Sequence, residues 1–434
     1  MCIRDRTASN PGTGICGESG NQEDQSAQRG GRKMRRGTKI QKLKQALPGI
    51  VKDVRHYAKP RVKLHNEGLG DYYTEGYRSL NQREWKGVKD TAYDFASWLK
   101  VYGYMAVALG KHPVALTKSF VRYPWMASYL TVANMLDRHK LGLRGKQLRY
   151  TQEQFYGVVH NSVDVIAKII ERDENLNSPN NKRAAKLRAK TVMFDEMTPS
   201  IIMAGFPMLD WIDIAMSPVC LPGEVDQNAN IMYVDAAERM GLAADVCPLP
   251  SAEVGCAIVD DYPQVGSSFI TSSMPCDGSL GAALFMDRYM KKLPSFTLTP
   301  PQRFNEPETN AYAVKDLKNC IRFIEETYHV KWDWDAFWEK AEEYNKTTQC
   351  MLDKWDVNCT PYPQVIGSAL SLQREYEFQT AACLDPFMTK QDEKVTKMML
   401  KGYEKDREAD RRDYKYRAIV CCLLYTSPSP RDTR

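Results

Sequence analysis

A short stretch in the middle of the chain constrains the fold more than any other, because two apolar runs there flank a segment with helical periodicity. Residues 268–271, Ser-Phe-Ile-Thr, have the character of a short buried strand, and residues 295–299, Ser-Phe-Thr-Leu-Thr, that of another. Residues 279–292 between them have the apolar spacing of an amphipathic helix. This order predicts a β-loop-α-β unit and therefore an α/β fold.

Two cysteines are expected in turns between the strands and helices of this fold, and both are candidate metal ligands. Cys276 follows residues 272–275, which we interpret as the exit loop of the first strand, and Asp277 and Gly278 come next. Ligands gather at the carboxyl ends of parallel strands, so we expect Cys276 at that edge. Cys247 occupies an earlier turn. Asp277 is expected to cap the helix that follows it.

The N-terminal part of the chain is predicted to be helical over residues 37–190. Apolar residues recur at helical spacing over residues 92–109 and 154–170, and the polar segment 175–181 is expected to end one helix and cap the next. After residue 190, short apolar runs alternate with turns and helical stretches. Residues 191–300 are therefore predicted to form a flavodoxin-like parallel-sheet domain.

Helical periodicity returns in residues 301–412, which are predicted to contain a helical hairpin. Its segments cover residues 309–328 and 335–354, and a charged helix is expected from Glu393 onward. Residues 413–421 then have the character of the first strand of a second α/β domain, which is expected to be truncated.

Both ends of the chain are expected to lie outside the natural protein. Residues 1–5 back-translate to ATG TGT ATA AGA GAC, and the complementary strand in a shifted frame encodes Cys-Leu-Leu-Tyr-Thr, the sequence of residues 422–426. Residues 422–434 are therefore interpreted as adapter-like sequence. Residues 1–36 are expected to be a disordered or artefactual tail, with Met34 as a candidate true start.

Composition favours a cytoplasmic protein without a membrane segment. At 434 residues and 43% hydrophobic, the chain can bury a substantial core, but no apolar run is long enough to span a bilayer. The irregularly spaced cysteines do not resemble a disulfide framework, and the absence of Cys-x-x-Cys disfavours a zinc ribbon. The net charge of +6 is concentrated in residues 32–63, which we interpret as a solvated face rather than a nucleic-acid contact.

Four stretches, in order, carry a resemblance to a known family. Residues 198–207 contain Thr-Pro followed by Ala-Gly and Pro; residues 236–247 contain a helical run, a glycine and Asp-Val-Cys; residues 274–277 read Met-Pro-Cys-Asp; and residues 316–345 have the pattern of a long helical hairpin. Together they resemble the 2-hydroxyacyl-CoA dehydratase and benzoyl-CoA reductase family. Two departures indicate a divergent subfamily: Pro248 follows the first cysteine, and Ser200-Ile201 replaces the family's glutamate pair.

The resemblance implies a [4Fe-4S] cluster with Cys247 and Cys276 as two of its thiolate ligands, the third coming from the next domain. It implies a 2-hydroxyacyl-CoA dehydratase reaction through a ketyl radical, with a paralogous subunit and an ATP-dependent activator protein as partners. Glu196 and Ser200 are candidates for a general acid or base. The alternatives are a benzoyl-CoA or acyl-CoA reductase component, a non-catalytic scaffold or cluster carrier, and a basic nucleic-acid-binding protein.

The sequence assigns the other cysteines less specific roles. Cys220 and Cys256 are near enough in sequence to be spare ligands. Most of the rest lie on helical patterns and are expected to be small buried hydrophobic residues, the commonest fate of a free thiol; these are Cys320, Cys350, Cys359 and Cys383.

Overall fold

The computed structural model describes residues 88–123, 125–126, 145–195, 198–214, 230–244, 247–273, 281, 283, 293–299, 306–364 and 385–412. Within these ranges, four helices precede the first strand: α1 (Val88–Leu109), α2 (Pro113–Arg122), α3 (Gly145–Arg172) and α4 (Lys182–Arg188). The polar segment 175–181 separates α3 from α4 as predicted. Asn181 caps α4, because its side chain accepts a hydrogen bond from the Ala184 N–H at 3.1 Å.

The sheet has four parallel strands in the order β2-β1-β3-β4. The strands are β1 (Thr191–Phe194), β2 (Asp210–Asp213), β3 (Ser268–Ser272) and β4 (Ser295–Leu298). Both strands of the predicted β-loop-α-β unit are therefore confirmed, and so is the α/β, flavodoxin-like architecture. Most of the predicted helix between them, residues 279–292, lies outside the described residues. The strand order reverses between β1 and β3, which is the topological switch point of such a sheet.

Between β1 and β3 lie a short 3-10 helix (Ser200–Gly205) and two further helices, α5 (Ile231–Arg239) and α6 (Pro248–Ile258). The sequence analysis anticipated α5 but treated residues 247–249 as a turn. The structure shows that Cys247 is the N-cap of α6, with Pro248 in the first turn, where a proline costs no helical hydrogen bond.

Three helices follow the sheet: α7 (Pro307–Tyr328), α8 (Trp334–Cys359) and α9 (Pro386–Glu408). The first two cover the predicted helical segments, and α8 packs against the 3-10 helix and α9 rather than along α7. α9 begins seven residues before the expected Glu393, because Asp385 caps it by accepting the Phe387 N–H at 2.9 Å and Pro386 fits the first turn. None of the described helices is both long and apolar enough to cross a membrane.

Both faces of the sheet pack against other elements, and the two central strands, β1 and β3, are fully buried. Because side chains alternate along a strand, neighbouring residues enter different cores. Met193 and Phe269 point into one core with α1, α3, α5 and α6. Val192 and Phe194 point into a second core, which contains the 3-10 helix and the buried face of α7. The strands therefore lie in the middle of a three-layer arrangement, and their ends are the parts of the sheet left for a ligand.

An ion-pair group fixes α3 against the sheet at the first residue of β2. Asp210 accepts a hydrogen bond from Lys168 at 3.1 Å and another from Arg172. Burial by itself would raise the pKa of Asp210, but the charges of Lys168 and Arg172 outweigh burial and hold this pKa below its usual value.

Candidate functional site at the carboxyl edge of the sheet

Polar residues line the carboxyl ends of three neighbouring strands. Asp213 is the last residue of β2, Asp195 follows β1, and Ser272 and Ser273 stand at the end of β3; the first three of these are at most 1% exposed. The backbone hydrogen bonds continue past the strand ends, since the Asp195 N–H donates to Ile270 at 3.0 Å. These side chains therefore share one edge.

Ser200 lies close to the switch point between β1 and β3. It is fully buried and begins the 3-10 helix, two residues after Thr198, whose hydroxyl makes a long hydrogen bond of 3.5 Å to the Ile270 carbonyl of β3. The other predicted acid or base, Glu196, lies outside the described residues. The structure therefore places one of these two candidates beside the edge at which parallel sheets bind ligands.

Cys247 occupies the N-terminus of the helix that leads into β3. Its carbonyl accepts the Ser251 hydroxyl at 2.9 Å, and its side chain is partly exposed. A helix that leads into a parallel strand runs antiparallel to that strand, so its first residue lies towards the carboxyl edge of the sheet. The positive end of the helix dipole also favours a thiolate at this position. Cys276 and Asp277 lie outside the described residues, so their pairing with Cys247 stays a prediction.

The other described cysteines differ from Cys247 in burial. Cys256, on α6, is fully buried, and burial together with the nearby Asp261 raises the pKa of its thiol well above the usual value. It is a core thiol and is not suited to be the spare ligand that the sequence suggested. Burial likewise raises the pKa of Cys320 to about 12. Cys350 is half-buried and Cys359 is exposed, which corrects the expectation of burial for Cys359, because this residue ends α8 on its solvent side.

Buried carboxylates close to the same edge were missed by sequence reasoning. Tyr262 is 1% exposed and donates a hydrogen bond to Glu253 at 2.7 Å. Burial is the main cause that raises the pKa of Tyr262 well above its usual value, and the charges of Glu253, Asp195 and Asp213 act in the same direction. A buried phenol therefore bonds to one buried carboxylate, and two further acidic groups are near enough to act on it electrostatically. Asp195 could have been identified from the sequence, because it directly follows a buried strand.

A cavity of about 440 Å³ opens beside the ends of β3 and β4. Ile202 of the 3-10 helix, Ser272 and Leu298 form its buried part, while Leu317 of α7 and Trp334 of α8 stand at its exposed rim. The lining is almost entirely apolar. Its size falls in the range typical of small-molecule sites, roughly 300–1,000 Å³.

Trp332 forms one wall of this cavity and is fixed by close packing. A Cβ atom on Gly205 would lie 2.6 Å from the indole, so only glycine allows the 3-10 helix to approach this ring. Phe206 packs edge-on against Trp332 at 5.3 Å between ring centroids, and the Trp332 backbone N–H donates to Glu325 at 3.1 Å. The indole N–H of Trp332 is shielded from solvent and has no hydrogen-bond acceptor among the described residues.

A separate group of possible metal ligands lies between α3 and the start of α9. One ligand atom each from His160, Asp164 and Asp385 lie within 4.8 Å of one another. Both carboxylates already accept hydrogen bonds, Asp164 from the Tyr104 hydroxyl at 2.6 Å and Asp385 from the Phe387 N–H. The group contains no thiolate, so it does not have the donor set of an iron–sulfur site.

Comparison with known proteins identifies one family. A family model described as 2-hydroxyglutaryl-CoA dehydratase, D-component, matches residues 225–425. The matched range includes Cys247, Cys276, strands β3 and β4 and helices α7 to α9. No curated protein matches the chain.

Proposed function

This chain belongs to the 2-hydroxyacyl-CoA dehydratase family, and from that membership we propose that it is the iron–sulfur subunit of an enzyme that removes water from a 2-hydroxyacyl-CoA. The observation that carries the proposal is the family match, because it spans both candidate ligands, Cys247 and Cys276. The parallel sheet supports it, since its carboxyl edge is where this fold binds ligands.

Cys247 suits the role of a cluster ligand better than the other described thiols of the sheet domain and α7. It is partly exposed at a helix N-terminus, whereas Cys256 and Cys320 are buried with raised pKa values. When bound, a [4Fe-4S] cluster would lend a single low-potential electron, first received from an ATP-dependent activator protein, to a ketyl-radical elimination at the acyl-CoA thioester, and it would regain the electron after hydroxide and the β-proton are lost, because dehydration is redox-neutral. Cys247 and Cys276 would hold that cluster as thiolates.

The proposed reaction also requires residues that orient the substrate and transfer protons. Loss of hydroxide needs a proton donor, and loss of the β-proton needs a base. We assign these roles to Glu196 and to Ser200, which is buried next to the switch point. Asp195, which precedes Glu196 in the sequence, is also buried at this edge of the sheet. Substitution of Glu196 or Ser200 should lower turnover, and unchanged turnover in both variants would remove them from the mechanism.

The proposal includes two protein partners and a compartment. The family description names one component of a dehydratase, and we propose that the second component is a paralogous subunit. An oxygen-sensitive cluster and free thiols suit the reducing cytoplasm. A non-catalytic scaffold is the second candidate, because Ser200-Ile201 stands where the family has a glutamate pair and Pro248 follows the first cysteine.

Iron binding tests the proposal directly. The chain would be purified without oxygen, reconstituted with iron and sulfide, and analysed for both elements beside the variants Cys247→Ser, Cys276→Ser and Cys359→Ser. We expect Cys247→Ser and Cys276→Ser to lose most of the iron, because serine is a poor ligand for a cluster that requires soft sulfur. Cys359→Ser is the matched control, since this thiol is exposed at the end of α8, and it should retain the iron.

The outcomes separate the candidate functions. Full iron content in Cys247→Ser or Cys276→Ser would reject that residue as a ligand. Equal loss in all three variants would indicate nonspecific iron. A wild-type chain that binds no iron although its circular dichroism is that of a folded protein would favour the scaffold.

A further inference from the structure

The cavity beside β3 and β4 has the chemistry of a site for an apolar group. Its buried part is formed by Ile202 and Leu298, which are 5% and 3% exposed. Its rim is also apolar, although it meets water: Val314 is 51% exposed, Leu317 38% and Trp334 55%. An apolar occupant that fills the cavity would remove this surface from water, which is the main source of affinity in such sites.

The same lining is unsuited to an acyl chain that ends in a carboxylate. Among the described residues of the cavity, Lys318 is the single cation, and it stands on the exposed side of α7. Asp316 lines the cavity as well, where it accepts the Thr299 N–H at 2.7 Å and places a negative charge near any anionic group. Burial of a carboxylate without a paired cation is strongly unfavourable.

Trp332 adds aromatic surface to this apolar wall. Its indole N–H is solvent-shielded and has no acceptor among the residues that the structure describes. The aromatic rings of Trp332, Trp334 and Phe337 pack at 5.1–6.0 Å between centroids, so the cavity also offers ring edges and faces to an aromatic group.

The position of the cavity relates it to the proposed reaction. Ser272 is both the last residue of β3 and part of the lining, and the chain reaches Cys276 four residues later. Pro199 and Ile201, which flank Ser200, line the same cavity. A thioester whose acyl chain fills the cavity would therefore place its carbonyl close to the carboxyl edge of the sheet.

We propose that this cavity binds the acyl chain of the substrate, and that the substrate is a thioester with a large apolar or aryl side chain rather than a dicarboxylic one. The inference rests on the proposed function, because it takes the ligand to be an acyl-CoA. It differs from the substrate in the description of the matched family model, whose glutaryl group carries a distal carboxylate.

Binding measurements on the chain, made without iron, test the inference. Isothermal titration would compare hexanoyl-CoA, 4-phenylbutanoyl-CoA, acetyl-CoA, glutaryl-CoA and free CoA. Each buried methylene is expected to raise affinity roughly fourfold, so hexanoyl-CoA should bind on the order of 100-fold more tightly than acetyl-CoA. Glutaryl-CoA should bind at least about tenfold more weakly than hexanoyl-CoA, because its carboxylate would lose its hydration.

Two variants and one matched control locate the binding. Leu317→Glu places a charge at the rim, and Ala313→Phe fills the lining from α7; each should weaken hexanoyl-CoA binding about tenfold or more. Leu400→Glu makes the same change at an equally exposed leucine of α9, 37% against 38%, and should leave binding unchanged. Circular dichroism would check that every variant is folded.

Several results would overturn the inference. These are the absence of thioester binding, equal affinity for free CoA and hexanoyl-CoA, a preference for glutaryl-CoA, and equal effects of Leu317→Glu and Leu400→Glu. A change in oligomeric state instead of thioester affinity in Leu317→Glu would assign the surface to a protein partner. Thioester binding by a chain that never holds iron would leave the cavity in place and refute the dehydratase chemistry, whereas iron binding without a preference for apolar thioesters would refute the cavity alone.

Discussion

A buried ion pair between α8 and α9 allows a quantitative test of what holds the C-terminal helices together. Lys354 and Asp392 are 1% and 2% exposed in their side chains, and the ammonium group donates to the carboxylate. Gln154 of α3 reaches the same carboxylate at 3.5 Å, so the pair stands where three helices meet. The second carboxylate oxygen of Asp392 is shielded and has no hydrogen-bond partner among the described residues. Lys354 is therefore its main compensating charge.

Lys354→Met keeps most of the side-chain volume but removes that charge. Asp392 would then be a buried carboxylate without a cation, a change that costs about 3–5 kcal/mol. With about 2–4 °C for each kcal/mol in a domain of 150–250 residues, the melting temperature should fall by roughly 6–20 °C. The double variant Lys354→Met/Asp392→Leu replaces both charges by apolar groups and should recover most of the loss, because an apolar pair in a packed interior is often as stable as an ion pair.

The assay is urea denaturation followed by circular dichroism, with melting curves as a second measure. Lys397→Met is the control, since Lys397 pairs with Glu393 at 3.3 Å on the exposed face of the same helix, with side-chain exposures of 76% and 42%. Its loss should cost less than about 0.5 kcal/mol. If Lys354→Met were no less stable than Lys397→Met, or if the double variant were less stable than Lys354→Met, the argument from uncompensated charge would be wrong.

Two further predictions concern helix contact and pH. In Gly255→Ala, the new Cβ would lie 1.7 Å from the Tyr233 carbonyl oxygen, so α5 and α6 must separate. The free energy of unfolding, measured by urea denaturation, should fall by about 3 kcal/mol. Gly103→Ala has open space around the new atom and should be stabilising by about 0.5–1 kcal/mol. A loss in Gly103→Ala as large as that in Gly255→Ala would contradict this reasoning. Asp210→Asn should cost about 1 kcal/mol at pH 7, a figure limited by partial exposure of the ion pair. The folded-state pKa of Asp210 is lowered, so its contribution is present above the unfolded pKa of about 3.9 and is lost as the pH falls through the folded-state pKa. The stability difference between wild type and variant should therefore shrink steadily as the pH is lowered below about 3.9, and a difference that stays constant over the whole acid range would refute the assignment.

The parts of the fold that could be predicted from sequence are those with a local cause. Strands β3 and β4 were visible because apolar and β-branched residues are bounded by turns, and the cap of α4 was visible in its asparagines. The helix α6 was missed because Pro248 and Pro250 resemble a loop, although prolines in a first turn are compatible with a helix. Its N-cap is Cys247, which the sequence analysis had selected as a candidate metal ligand.

The candidate site depended more on contacts that are distant in sequence. The approach of Gly205 to Trp332 joins segments more than a hundred residues apart and creates a wall of the cavity, yet neither residue was informative alone. The carboxylates around Tyr262 likewise come from three separate elements. Such arrangements result from the order of the strands, which local periodicity does not determine.

The topology gives a physical reason for Cys247 and the cavity to lie towards one edge of the sheet, where we also propose Cys276. Among the described residues, both faces of the two central strands pack into hydrophobic cores, so a ligand can reach these strands at their ends. At the carboxyl edge, β1 leads to Ser200 and its 3-10 helix, while β3 leads towards Cys276, and the strand order separates these two connections to opposite sides of the switch point. The space that opens between diverging connections is where parallel sheets bind their ligands. In the proposed reaction, an apolar cavity at this place would hold the unreactive part of the substrate, and Ser200 beside it would act on the reactive part.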